Sequence, residues 1–188
     1  MSEIANKSPA ELQAIIDRAD CLASESQISD ALDRMAGQIK HDYAGRIPIL
    51  VGVMVGGVMP LAWLAQRLDM PMQIDYLHAT RYRGGTRGGE LDWIAHPREN
   101  LAGRDLIIVD DILDEGITLA AVKEALLKEG ANSIRIAVLV TKSHDRNVSG
   151  LEADYVGIEV PDRYVFGCGM DYKEYFRQFP AIYALAED

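Results

Sequence analysis

The sequence predicts an α/β fold built on a mainly parallel twisted sheet flanked by helices. Three observations carry that prediction. Short unbroken apolar runs, such as Leu106-Ile107-Ile108-Val109, suit strands buried on both faces of a parallel sheet. Stretches with helical spacing alternate with these runs, as βαβ connections require. The best run, Leu106–Val109, leads into four acids in six residues, Asp110, Asp111, Asp114 and Glu115, then Gly116 and a helical pattern from Thr118. In open α/β sheets, ligands bind beyond the carboxyl ends of strands.

The elements follow in order. Ser8-Pro9-Ala10-Glu11 reads as a capping box with Pro at the first helical position, opening a short helix that ends before Cys21. A second helix starts near Ser24, with Gln27 three residues on and Ile28, Leu32, Met35, Ala36 and Ile39 at helical spacing. Ile47–Met54 is a buried strand. Gly56-Gly57 breaks it, and Pro60 opens a helix through Leu68. Gln73–His78 is a third strand. Ala79–Asp92, with Arg81, Arg83 and Arg87 and little to bury, reads as a long loop, the concentrated basic patch of an acidic chain. Beyond the acidic stretch, a helix runs to near Gly130. Strands follow at Ser133–Val140 and Tyr155–Val160, and the segment from Pro161 lacks helical period until Lys173.

Composition sets bounds. The chain has 188 residues, 48% hydrophobic and 26% charged, which suits one globular domain. Its net charge of −10 argues against a nucleic-acid partner. No apolar run reaches the roughly 20 residues that span a bilayer, so no membrane is expected. The N-terminal stretch has no basic-then-apolar signal, and the two cysteines, Cys21 and Cys168, have no metal-ligand spacing, which points to a reducing cytoplasm. No Gly-x-Gly-x-x-Gly follows a strand, which argues against a nicotinamide-dependent dehydrogenase.

The acidic loop poses a chemical question. A helix N-terminus attracts phosphate, yet carboxylates repel it. The two coexist if the ligand also carries hydroxyls, a bound cation or a positive charge that develops during reaction. A sugar phosphate reacting through a cationic transition state has all three.

Val109-Asp110-Asp111-Ile112-Leu113-Asp114-Glu115-Gly116-Ile117-Thr118 resembles the phosphoribosyl-pyrophosphate (PRPP) motif of type I phosphoribosyltransferases. Glu115 stands where that family usually has Ser or Thr. Val55-Gly56-Gly57 resembles the pyrophosphate loop, with Val55 where a Lys often stands. Thr80-Arg81-Tyr82 resembles the start of the flexible catalytic loop. Lys142, the stretch Asp162–Gly167, and Asp171-Tyr172 with Arg177 complete the resemblance, which covers roughly residues 20–180. It is closest to bacterial hypoxanthine-guanine phosphoribosyltransferases.

The resemblance implies the fold of that family as one domain over residues 1–188. A core lies at about 37–160, and a small hood is built from about 1–25 and 161–188. It implies purine salvage: transfer of a phosphoribosyl group from PRPP to hypoxanthine or guanine, with Mg²⁺ as cofactor and a homodimer or homotetramer as assembly. Asp114 is the implied general base. Asp110, Asp111, Asp114, Glu115, Gly116, Ile117 and Thr118 would bind ribose and 5′-phosphate. Val55, Gly56, Gly57, Arg81, Tyr82 and Arg177 would hold pyrophosphate. Lys142, Tyr164, Val165 and Asp171 would meet the purine, and Asp110, Asp111 and Asp171 the metal. The family also implies a cis peptide bond between Met54 and Val55. Two alternatives stay open: a xanthine-guanine enzyme, and a non-catalytic PRPP- or nucleotide-binding regulator with the same fold.

Overall fold

The computed structural model describes residues 7–81, 91–143 and 150–186. Ser8 caps helix α1 (Pro9–Ile16) through the expected capping box with Glu11. Strand β1 (Asp20–Ala23) follows, then α2 (Glu25–Asp42), capped by Ser24 with Gln27. Next come β2 (Ile49–Val53), α3 (Val58–Ala65), β3 (Gln73–Arg81), β4 (Leu91–Ala95), β5 (Asp105–Leu113) and α4 (Ile117–Lys128). The chain then runs through β6 (Ser133–Ser143), β7 (Tyr155–Pro161), β8 (Val165–Phe166) and β9 (Ile182–Ala184). Among the described residues no helix is long and apolar enough to cross a membrane.

The large sheet has the order β4-β3-β2-β5-β6-β7, parallel throughout except for the β3–β4 pair. From β2 the chain works outward to β3 and β4, whereas from β5 it works outward in the other direction. The order therefore reverses between β2 and β5, and a switch of this kind leaves a crevice at the carboxyl ends of the two strands. One face of the sheet packs on α2 and α3 through Leu50, Ile107, Val109 and Leu139. The other packs on α4 through Val51, Ile108, Ile136 and Val138. All five residues of β2 are buried, which explains an apolar run without alternation. A separate three-stranded sheet, β1-β9-β8, joins residues from near both ends of the described chain.

Several boundaries differ from expectation, each for a physical reason. β5 does not stop at Val109. It continues through Asp110 and Asp111 to Leu113, because β6 keeps pairing with it as far as Leu113↔Thr141. The two carboxylates thus stand on a strand, not in a loop. β6 likewise runs on to Ser143 with β7 beside it, so Lys142 is a strand residue. The expected loop at Ala79–Asp92 is flanked by strand on both sides, since β3 extends to Arg81 and pairs with β4. α3 starts at Val58, before Pro60, and ends at Ala65, short of Leu68. The short strands β1, β8 and β9 were not visible as apolar runs, because each is two to four residues long and defined by its partners.

Ile107 is fully buried in the central strand. Ile107→Ala is expected to lower unfolding free energy by about 2–5 kcal/mol, read from urea denaturation of mutant and wild type.

Candidate active site

The crevice is an open cleft of about 1400 Å³. Its wall gathers Met54 and Gly56 after β2, Thr80 on β3, Asp110 to Thr118 from β5 into α4, and Glu174 with Arg177 from the C-terminal segment. Gly116 adopts φ 73° at the start of α4, a left-handed conformation open to glycine without penalty, and no side chain caps the helix there. The amides of the first turn, around Ile117 and Thr118, are therefore free to receive an anion. Glu115 is exposed on the cleft wall.

Asp110 and Asp111 sit side by side. The Asp111 amide donates to Asp110 Oδ1 at 2.9 Å. Desolvation, and then repulsion from Asp111, push the Asp110 carboxyl well above the usual range. Burial raises Asp111 to about 6, although Arg177 opposes the shift. Its packing is equally tight. A Cβ on Gly56 would lie 2.1 Å from Asp111 Oδ2, and one on Gly169 would lie 2.0 Å from the Gly56 carbonyl oxygen. Glycine is required at both places, since only a missing side chain lets the three segments meet. The peptide bond between Met54 and Val55 is cis, as the resemblance implies.

Arg177 organises the C-terminal wall. It donates to the Gly169 carbonyl at 2.8 Å, and pairs with Asp171 at 2.8 Å and Glu174 at 3.2 Å. Asp171 also accepts from the Glu174 amide at 2.8 Å. Glu174 has φ 71° and was missed in the sequence, where nothing marks it. Strained backbone of this kind clusters at functional sites.

A second, smaller group adjoins the cleft. Asp114 also borders a cavity of about 340 Å³ together with Lys142. The Lys142 ammonium lies 3.1 Å from Asp114 and 3.8 Å from Asp162. Tyr164 is half exposed, and its hydroxyl donates to the Asp171 carbonyl at 3.2 Å. Val165 is buried in β8, which leaves its backbone as the part able to meet a ligand. Of the residues expected at pyrophosphate, Gly56 and Arg177 line the cleft. Gly57 is buried beneath it as the residue before α3, and Val55 is exposed outside the lining. Arg81 closes β3, and its side chain, like Tyr82, Arg83 and Arg87, lies outside the described residues.

Comparison with known proteins agrees with this architecture. Residues 20–174 match the phosphoribosyl transferase domain family. A hypoxanthine-guanine phosphoribosyltransferase of Streptococcus mutans is 38% identical over 168 residues, 89% of this chain and 93% of that protein. One from Staphylococcus epidermidis is 36% identical over 88% of this chain and 93% of its own length. The crystal structure of a hypoxanthine phosphoribosyltransferase from Staphylococcus aureus superposes with a TM-score of 0.85 at 32% identity, covering 92% of this chain and 95% of that one. The chain therefore belongs to the phosphoribosyl transferase family, within its hypoxanthine-guanine phosphoribosyltransferase branch.

The raised carboxyl of Asp111 has a consequence for the free protein. A folded-state acid held near 6, against 3.8 when exposed, contributes stability below about 4 that is lost as pH rises through about 6. Asp111→Asn keeps the shape without the charge. It is expected to raise the thermal midpoint at neutral pH and to flatten the midpoint-versus-pH curve between about 4 and 6. An unchanged curve would remove Asp111 as the titrating group.

Proposed function

We propose that this protein transfers the 5-phosphoribosyl group of PRPP to N9 of hypoxanthine or guanine, giving IMP or GMP and pyrophosphate. The observation that carries the proposal is the Lys142–Asp114 pair, 3.1 Å apart, at the edge of the ribose-phosphate cleft. A 6-oxopurine presents an acceptor, O6, next to a ring nitrogen, N7, that carries a proton to be lost. An ammonium donor beside a carboxylate acceptor complements that edge. Adenine places an amino donor at position 6 and would face the ammonium unfavourably.

In this reading Asp114 takes the N7 proton as N9 attacks the anomeric carbon, and Lys142 donates to O6. Bond breaking leads, so the ribose gains positive charge. Asp110 and Asp111 face that charge and stabilise it electrostatically. The first-turn amides of α4, with Glu115, Gly116, Ile117 and Thr118, surround the 5′-phosphate. Val55, Gly56, Gly57, Arg81, Tyr82 and Arg177 are the proposed pyrophosphate contacts. Tyr164 offers a flat face to the purine, and the Val165 backbone and Asp171 meet its far edge.

The donor set fits Mg²⁺. That ion takes one or two carboxylates and completes its shell with substrate oxygens and water; among the described residues no group of three His, Cys, Asp or Glu side chains is placed to hold a metal by itself, so substrate oxygens would have to complete the shell. Asp110, Asp111 and Asp171 would hold it. When bound it neutralises the charge of the leaving pyrophosphate. We further propose a cytoplasmic enzyme assembled as a homodimer or homotetramer.

The test is a spectrophotometric assay with PRPP, Mg²⁺ and each purine in turn. Turnover is expected with hypoxanthine and guanine and not with adenine; xanthine as the preferred base would select the xanthine-guanine reading, and PRPP binding without turnover the regulator. Asp114→Asn is expected to lower kcat by about 10²–10⁴-fold with little change in PRPP binding. Lys142→Ala should raise KM for hypoxanthine and guanine more than KM for PRPP, by about the 1.5–3 kcal/mol of a charged hydrogen bond.

A further inference from the structure

We propose that Asp162 is a positioning residue for purine recognition, acting through Lys142; the inference rests on the function proposed above. Only 12% of the Lys142 side chain is exposed, and its ammonium lies between two carboxylates, Asp114 at 3.1 Å and Asp162 at 3.8 Å. They come from different elements. Asp114 leads into α4, and Asp162 follows β7.

A mostly buried ammonium needs a counter-charge throughout the reaction. Asp114 supplies one only while ionised. Once it has accepted the N7 proton it is neutral, and Lys142 would be left unpaired just as its hydrogen bond to O6 matters most. Asp162 takes no part in the proton transfer and stays beside the ammonium throughout. Before transfer it also shares the pull of Asp114 on the ammonium, which leaves the amine able to donate to O6. Two other carboxylates border this region and do not fill the role. Glu159 accepts the Ser143 hydroxyl, Glu152 lines the smaller cavity, and neither forms an ion pair with Lys142 among the described residues.

The experiment is a double-mutant cycle in the full chain, with initial rates measured against PRPP and hypoxanthine in the presence of Mg²⁺. Asp162→Asn is expected to raise KM for hypoxanthine by on the order of tenfold, with KM for PRPP within about twofold of wild type. Asp162→Glu should recover most of the loss, because the charge returns. In a Lys142→Ala background, Asp162→Asn should change the hypoxanthine KM by less than about twofold, since the residue it acts through is gone. Equal rises in both KM values, an unchanged hypoxanthine KM, or a further tenfold loss without Lys142 would each overturn the inference. If Asp162→Asn does not fold, Asp162→Ser carries the same cycle. A wild type that fails to use hypoxanthine sinks the proposed function. An active wild type with a silent Asp162 variant sinks this inference alone.

Discussion

Two adjacent carboxylates near the end of the central strand, Asp111 buried and Asp110 half-buried, constrain the rest of the molecule. Asp110 and Asp111 are both pushed toward the neutral form by loss of water, and Asp110 further by its neighbour. Such a pair is costly in a free protein unless something compensates. Arg177 supplies part of the compensation and is itself held by Asp171 and Glu174. The shape is equally constrained. Gly56 and Gly169 close on Asp111 from two other segments, and neither tolerates a side chain. The site thus favours whatever brings positive charge to it. In the proposed reaction, that is a ribose on its way to an oxocarbenium-like state and the cation that accompanies pyrophosphate.

The sheet supplies the geometry. The reversal of strand order between β2 and β5 opens the crevice, so the Gly-Gly loop after β2 and the acidic stretch of β5 face one space. β6 runs alongside β5 far enough to bring Lys142 to Asp114. The β1-β9-β8 sheet ties the C-terminal segment to the chain's first strand, and the turn that follows β8 carries Gly169, Asp171 and Arg177 to the same cleft. The first turn of α4, the carboxylate pair and the Asp–Lys pair adjoin one another, and with Gly56 and Arg177 the residues gathered around the cleft span more than half of the chain.

Family membership and local chemistry support the same reading from independent directions. The relatives establish the branch to which the chain belongs. The site adds what a name does not, namely an ammonium placed between two carboxylates from different elements. It also shows Glu115 exposed on the cleft wall just before α4, where the family usually places a hydroxyl.

By itself the sequence determined the class of fold and the identity of the acidic, glycine and lysine motifs. Unbroken apolar runs are forced by burial on both faces of a parallel sheet, and capping boxes are local chemistry within four residues. Tertiary structure decided what depends on partners far along the chain. Asp110, Asp111 and Lys142 count as strand residues only because neighbouring strands keep pairing past the apolar run. β1, β8 and β9 are too short to carry a periodic signal, and they exist because their partners supply the missing hydrogen bonds. Glu174 had no motif to mark it, and Asp162 stood at the edge of one that gave it no role. Their places beside Arg177 and Lys142 come from folding, which brings together charges that sequence distance conceals.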